Sequence, residues 1–298
     1  MNRPVLITGA EGFVGWHLMR ELGIDAVPVN ANVLDPPTLS EEFAAASPTA
    51  IVHLAARSSG AESWQSPAAV WQTNVLGTVN VIEAMRRGPR SARLLAVSTG
   101  EVYGHADTIP TPEHRPTAPL SPYAASKAAA EEACSQAARG YDLDIVIARS
   151  FTHEGPGRGE EFAIGSWTHQ VARLERKGGG VLRVGDVSVA RDILDVRDVC
   201  RAYRLLLDRS VPSGVYNVAS GRPVRLAHVL ERLLALSNVT ITVEEEASLR
   251  RAVDLSKLSG DPGKLEIATG WRPEIPLERT LADALDGARE AVAEESTI

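Results

Sequence analysis

The stretch Pro4-Val5-Leu6-Ile7-Thr8-Gly9-Ala10-Glu11-Gly12-Phe13-Val14-Gly15 runs an apolar strand into three glycines at three-residue spacing, with an amphipathic helical pattern after it. That succession reads as the first βαβ unit of a dinucleotide-binding fold. Gly9 allows the tight turn out of the strand, Gly12 lets backbone approach a pyrophosphate, and Gly15 lets the helix pack on the strand. The free N–H groups of the helix N-terminus, around Phe13 and Val14, face the phosphates. The spacing is G-x-x-G-x-x-G rather than the commoner G-x-G-x-x-G, so position at the head of a strand–helix pair carries the assignment as much as the pattern does.

Outward from this turn, apolar runs of strand length recur at 5–8, 26–29, 50–54, 94–98 and 144–148. Helical patterns fall at 12–21, 68–85, 122–138, 167–176, 196–207, 226–236 and 277–293. The alternation predicts an α/β fold with a Rossmann-type, doubly wound parallel sheet. Beyond Ser150 the pattern breaks into loops such as Glu154-Gly155-Pro156-Gly157-Arg158-Gly159 and Lys177-Gly178-Gly179-Gly180. These follow the C-terminal end of a strand, where ligands of open α/β sheets lie. The expected division is an NAD(P)-binding domain at 1–150, joined by roughly 190–218, and a smaller substrate-binding lobe from 151–189 and 219–298.

With 298 residues, 44% of them hydrophobic, the chain can fill a sizeable core. A net charge of −7 argues against a nucleic-acid partner, since phosphate backbones demand clustered positive charge. Cys134 and Cys200 lie in helical patterns without CxxC or histidine pairing, so packing roles are expected and no metal site is. No apolar run reaches membrane-spanning length and no basic leader precedes the first strand, which predicts a cytoplasmic protein without a membrane partner.

Tyr123-Ala124-Ala125-Ser126-Lys127 sets a tyrosine and a lysine four residues apart, on one face of a helix. A lysine ammonium nearby favours the phenolate and turns a poor neutral-pH proton shuttle into a usable one. Upstream, Ser98-Thr99-Gly100-Glu101-Val102-Tyr103-Gly104 ends the strand that begins at Leu94, so its hydroxyls emerge at the same sheet edge. Hydroxyl, phenol and ammonium then converge.

On these residues the chain resembles the extended short-chain dehydrogenase/reductase superfamily, in its nucleotide-sugar branch. His53-Leu54-Ala55-Ala56, Thr73-Asn74-Val75-Leu76-Gly77-Thr78 and Arg191-Asp192-Ile193-Leu194-Asp195-Val196-Arg197-Asp198 add to the likeness, in the expected order. Ala55-Ala56-Arg57-Ser58-Ser59, Ser63-Trp64, Gly155-Pro156-Gly157, Arg183-Val184-Gly185 and Thr269-Gly270-Trp271-Arg272-Pro273 look most like GDP-4-keto-6-deoxy-D-mannose reductases, which form GDP-D-rhamnose. GDP-mannose 4,6-dehydratases are near neighbours.

The resemblance implies roles. Tyr123 is the general acid, Lys127 its partner and a ligand of the nicotinamide ribose, and Thr99 the hydroxyl that bonds the sugar oxygen. Glu101 stands where dehydratases carry an acid or base; similar reductases carry glutamate there too, so it does not choose. Gly100 leans toward reduction, because glucose-type dehydratases carry aspartate at that place. Cofactor contacts fall to Gly9, Gly12, Phe13, Val14, Gly15, Asn30, Asp35, Leu54, Ala55, Ala56, Asn74, Ser98, Tyr123 and Lys127. Substrate contacts fall to Ser58, Ser59, Thr99, Gly100, Glu101, Thr152, Arg191 and Arg251, the two arginines gripping a diphosphate. Asp35 has two readings, a contact with the adenine edge and a buried turn-capping aspartate.

Two departures stand out. The family's R-P-F-N is Arg149-Ser150-Phe151-Thr152 here, without the proline near nicotinamide and without the asparagine on the substrate phosphates. The R-P motif of the C-terminal lobe is Arg251-Ala252, followed by Asp254. The second strand pattern ends Val27-Pro28-Val29-Asn30, with neither an acid for a ribose 2′-OH nor an adjacent arginine for a 2′-phosphate, which leaves NAD and NADP open with a lean to NADPH. The expected function is NAD(P)H-dependent reduction of a GDP-linked 4-keto-6-deoxyhexose. A 4,6-dehydratase or 4-epimerase holding NAD tightly is the nearest alternative, and a non-catalytic NAD(P) sensor one of another class. Small residues on more than one face of 68–85 and 122–138 predict a homodimer through these helices.

Overall fold

The computed structural model describes residues 4–250 and 253–295. The chain opens with β1 (Val5–Thr8), α1 (Phe13–Leu22), β2 (Ala26–Pro28), α2 (Pro36–Ala46) and β3 (Ala50–His53). Next come α3 (Gly60–Gln65), α4 (Pro67–Trp71), a π turn (Gln72–Leu76), α5 (Gly77–Arg87), β4 (Arg93–Thr99), α6 (Pro122–Tyr141) and β5 (Ile145–Ser150). Then β6 (Thr152–Glu154), α7 (Ala163–Lys177), β7 (Gly180–Val184), β8 (Ala190–Asp195), α8 (Val196–Leu206) and β9 (Gly214–Val218) follow. The last elements are β10 (Pro223–Arg225), α9 (Leu226–Leu234), β11 (Ile241–Glu245), β12 (Lys257–Leu258), α10 (Gly263–Thr269) and α11 (Leu277–Glu295).

Six strands form one sheet in the order β2-β1-β3-β4-β5-β9, every pair parallel. This is the doubly wound sheet expected from the alternation. Strands β1, β3 and β5 are buried along their whole length, because helices cover both faces. On one face Leu18 of α1 packs with Val199, Tyr203 and Leu206 of α8; on the other, Phe43 of α2 packs with Val81 and Met85 of α5 and Cys134 of α6. The order reverses between β1 and β3, so the crevice for a ligand opens at the C-terminal ends of those two strands, at Thr8 and His53.

The remaining strands build a smaller layer. β8 pairs with β10, β12 and β6, while β11 pairs with β7. Trp167, Val171, Leu230, Leu281 and Leu285 close a separate core among α7, α9 and α11.

Several expectations are corrected. Helix α2 is absent from the helical patterns read in the sequence; Asp35 caps it, accepting Thr38 N–H at 3.4 Å, and Pro36 and Pro37 occupy its first turn, where no N–H is needed. Asp35 is therefore a helix cap, but exposed rather than buried. The helix expected over 68–85 runs on through 67–87 but widens into a π turn around Asn74. Within the 190–218 stretch assigned to the first domain, β9 pairs at the edge of the main sheet, whereas β8 pairs in the smaller layer. Among the described residues no helix is long and apolar enough to cross a membrane.

Candidate active site

The glycine turn separates what the protein needs from what a ligand needs. A Cβ on Gly9 would lie 2.8 Å from the Ala55 nitrogen, and Gly9 sits at φ +71°; a Cβ on Gly15 would lie 2.3 Å from the Gly9 carbonyl oxygen. Packing alone dictates both. At Gly12 the nearest atom is at 3.4 Å and φ is −75°, an ordinary position for any residue. Its glycine leaves an open cradle before Phe13 and Val14, at a helix N-terminus with no side-chain cap, and such a cradle suits a pyrophosphate. Leu54 and Ala55, just beyond β3, press their backbone against Gly9, and Ala56 follows them.

Tyr123 is in the first turn of α6, which Ser121 caps by accepting Ala124 N–H at 3.1 Å. Lys127 is one turn on and buried, and burial lowers its ammonium to about 8. A further turn on, Glu131 takes a bidentate bond from Arg149, with Nη2–Oε2 at 2.7 Å, and accepts the Ser98 hydroxyl. The Arg149 guanidinium also lies 4.6 Å from the centre of the Tyr103 ring. A buried, fully bonded pair of this kind fixes α6 against β4 and β5. Ser98, expected at the cofactor, thus gives its hydroxyl to Glu131. Thr99 ends β4, and its Oγ1 accepts Glu101 N–H at 3.2 Å, which leaves its own hydrogen to donate.

Gly100 has a steric cause. A Cβ there would lie 2.6 Å from the Phe151 ring, so no aspartate fits while Phe151 keeps its place. Ser150, in place of the family proline, bonds the Tyr203 hydroxyl on α8 at 2.6 Å. Thr152 begins β6, opposite Ile193 of β8.

A cleft beside α6 is lined by Glu101, Ser121, Arg191, Asp254 and Leu258. Arg191, buried on β8, donates to the Leu255 carbonyl at 2.7 Å and to Asp254. Ser58 is exposed, and Ser59 caps α3 by accepting Glu62 N–H at 3.2 Å. Arg251 lies outside the described residues. Asn30 is at the end of β2, where Glu42 accepts the N–H groups of Asn30 at 2.9 Å and Ala31 at 2.8 Å. Asn74 is 1% exposed, and its side-chain amide is engaged by Arg57 and Ser126.

Sequence reasoning missed one cluster. Arg158 is held with its guanidinium 3.5 Å from the centre of the Phe162 ring and 4.9 Å from that of Phe13, the first residue of α1. Tyr123 is within its electrostatic reach. Its ion pair with Glu154 is 3.9 Å long, too long for a hydrogen bond, and Arg158 Nε and Glu154 Oε2 have no partner. Burial outweighs the arginine and raises Glu154 to about 7, and burial lowers His153 next to it to about 4. Two unsatisfied polar atoms between the glycine turn and Tyr123 mark a place where a polar ligand group completes the bonding. The signal in the sequence was a charged pair directly after a strand, hidden among glycines.

The acidic motif of β8 and α8 is scaffolding. Asp192 accepts Ser220 N–H at 2.8 Å and the Ser259 hydroxyl at 2.7 Å; Asp195 accepts the Thr280 hydroxyl at 2.9 Å; Asp198 accepts the N–H groups of Glu274 and Ile275, each at 2.9 Å. Each carboxylate pins a different distant segment.

The family model of GDP-mannose 4,6 dehydratase matches residues 25–284. The chain is 33% identical to the GDP-6-deoxy-D-mannose reductase of Pseudomonas aeruginosa, over 99% of this chain and 100% of that one. It is 26% identical to a GDP-mannose 4,6-dehydratase of Yersinia enterocolitica over 80% of this chain and 73% of that one. Among solved structures, RMD from Pseudomonas aeruginosa complexed with NADPH superposes with a TM-score of 0.89 at 32% identity, covering 97% of this chain and 99% of that one. A UDP-glucose 4-epimerase from Thermotoga maritima with UDP-glucose superposes with a TM-score of 0.86 at 25% identity, covering 97% and 99%.

Proposed function

Because the chain belongs to the GDP-mannose 4,6-dehydratase family, we propose that it reduces the 4-keto group of a nucleotide-linked 4-keto-6-deoxyhexose, with GDP-4-keto-6-deoxy-D-mannose to GDP-D-rhamnose as the leading reaction. The observation that carries reduction is the Phe151 ring against Gly100, which denies the site an acid where glucose-type dehydratases place one. End-to-end similarity to a GDP-6-deoxy-D-mannose reductase supports it.

The open cradle at Gly12 and the unsatisfied Arg158 Nε suit a dinucleotide, held by Gly9, Gly12, Phe13, Val14 and Arg158 on its phosphate side and by Lys127 at the ribose. NADPH is the preferred coenzyme, in line with the bound form of the Pseudomonas aeruginosa structure. When bound, it supplies the hydride for C4 of the sugar. Tyr123 delivers the proton to the ketone oxygen, while the Lys127 ammonium stabilises the phenolate that this transfer leaves. Thr99 donates its free hydrogen to the same oxygen and holds it in line. Arg191, with Arg251, takes the diphosphate; Ser58, Ser59, Glu101 and Thr152 contact the sugar. The enzyme acts in the cytoplasm as a homodimer, on the face where Trp71, Leu76 and Val79 stay 43%, 49% and 41% exposed.

Incubation with NADPH and a panel of 4-keto-6-deoxy sugar nucleotides, followed at the nicotinamide absorbance band, tests the reading. Oxidation of NADPH with a GDP-linked ketone is expected. A tightly retained NAD and conversion of GDP-mannose without added coenzyme would replace reduction by dehydration.

A further inference from the structure

Behind the site runs a buried chain of hydrogen bonds whose donors can all be assigned. Ala55 N–H donates to Thr8 Oγ1 at 3.2 Å, and the same hydroxyl shares a bond with His53 Nδ1 at 2.8 Å. Thr78 donates to the Asn74 carbonyl at 2.6 Å, so its oxygen accepts from His53 Nε2 at 3.0 Å. The Asn74 amide donates to Ser126 Oγ at 2.9 Å, and Ser126 donates to the Tyr123 carbonyl at 2.7 Å. Nε2 is therefore the donor, and burial, which lowers His53 to about 3, keeps the ring neutral, so Nδ1 accepts the Thr8 hydrogen. The π turn falls at Asn74 and lies within the helix that carries both Asn74 and Thr78. Such turns recur where a helix is adapted to function.

We propose that His53 is a positioning residue: through Thr78, Asn74 and Ser126 it ties the strand end beside the glycine turn to the first turn of α6 and holds Tyr123 at its proton-delivery angle. The inference rests on Tyr123 being the general acid. One end of the chain is Thr8, next to Gly9; the other is the backbone of Tyr123 itself. A charge-free relay suits this task, because its geometry does not change across the working pH range. Asn74 joins the two halves as one rigid residue, accepting Thr78 at its backbone carbonyl and donating to Ser126 from its side chain.

Thr78→Val keeps shape and removes the hydroxyl, Thr78→Ser restores it, and Ser126→Ala breaks the far end. Each deletion is expected to lower kcat about tenfold with KM for the sugar nucleotide within about twofold. Thr78→Ser should return most of the loss. The double variant Thr78→Val/Ser126→Ala should be no slower than the slower single one, since one broken relay cannot break twice. NADPH Kd, read by fluorescence, should stay within about threefold in the Ser126→Ala protein, because the hydroxyl lost bonds Asn74 and the Tyr123 carbonyl rather than the ribose. Multiplying effects in the double variant, or unchanged kcat in Ser126→Ala, would overturn the relay. Full turnover in Tyr123→Phe would instead remove the general acid on which it rests, a separate reading from the same assay.

Discussion

Asp254 occupies the guanidinium of Arg191, so the arginine assigned to the diphosphate already holds one carboxylate of its own chain. Backbone carbonyls of Ala190, at 2.8 Å, and Leu255 take the other face of the fork. A buried arginine needs such partners between substrates, because an unpaired buried charge is costly. Arg191→Ala should therefore raise KM for the sugar nucleotide roughly tenfold or more and also lower stability by about 1.5–3 kcal/mol, by stranding Asp254. Arg191→Ala/Asp254→Ala should recover stability and leave KM high. Urea unfolding beside steady-state kinetics reads both; a double variant that regains KM would assign the diphosphate elsewhere.

Tyr123→Phe removes the proton donor and almost no volume. The fold and the NADPH Kd should be retained while kcat falls at least about a hundredfold. Turnover near that of the parent would take Tyr123 out of the mechanism.

The glycines of the turn should separate in the laboratory as they do in space. Gly12→Ala should keep Tm within about 2 °C and weaken the dinucleotide at least about tenfold. Gly15→Ala should cost about 1–3 kcal/mol of stability, because its methyl meets the Gly9 carbonyl. Scanning calorimetry and a binding titration on both variants suffice, and equal losses of stability would refute the distinction.

Glu154 gives a pH signature. Its folded pKa is raised to about 7 from 4.5, so the folded state holds this proton more tightly than the unfolded chain does. The contribution is fully present below about pH 4.5 and is lost as pH rises through about 7. Relative to Glu154→Gln, the parent should lose about 2–3 kcal/mol between pH 5 and pH 8, at about 1.4 kcal/mol per unit. Denaturant midpoints of both proteins at the two pH values check this; parallel midpoints would show that Arg158 keeps the carboxylate charged.

The dimer is tested by light scattering. A homodimer is expected at micromolar concentration, and Ala125→Glu with Ala129→Glu should reduce it to monomer by burying charge between the helices. A dimer that survives both lies on another surface.

The glycine turn, the strands up to β5 and the Tyr123/Lys127 pair were legible because each is written in a few adjacent residues with fixed spacing. The roles of the aspartates on β8 and α8 were not. Asp192, Asp195 and Asp198 read only as part of a family motif, because their partners at Ser259, Thr280 and Glu274 stand far along the chain. Arg158 was lost for a similar reason: its value comes from Phe13, on the other side of the glycine turn. Ser150 looked like a defect in the family pattern until Tyr203 supplied the partner for its hydroxyl.

The position of β9 at the edge of the main sheet bears on synthesis. A nascent chain that has emerged only as far as β5 lacks β9 and the helix α8 that covers one sheet face, and it leaves Ser150 without Tyr203. Trp271, which joins the core on that face and bonds the Asp198 carbonyl at 3.0 Å, arrives later still. The coenzyme half is thus completed only when the ribosome has released nearly the whole polypeptide, so amber truncations anywhere before the last helix should yield chains that chaperones hold rather than smaller working enzymes.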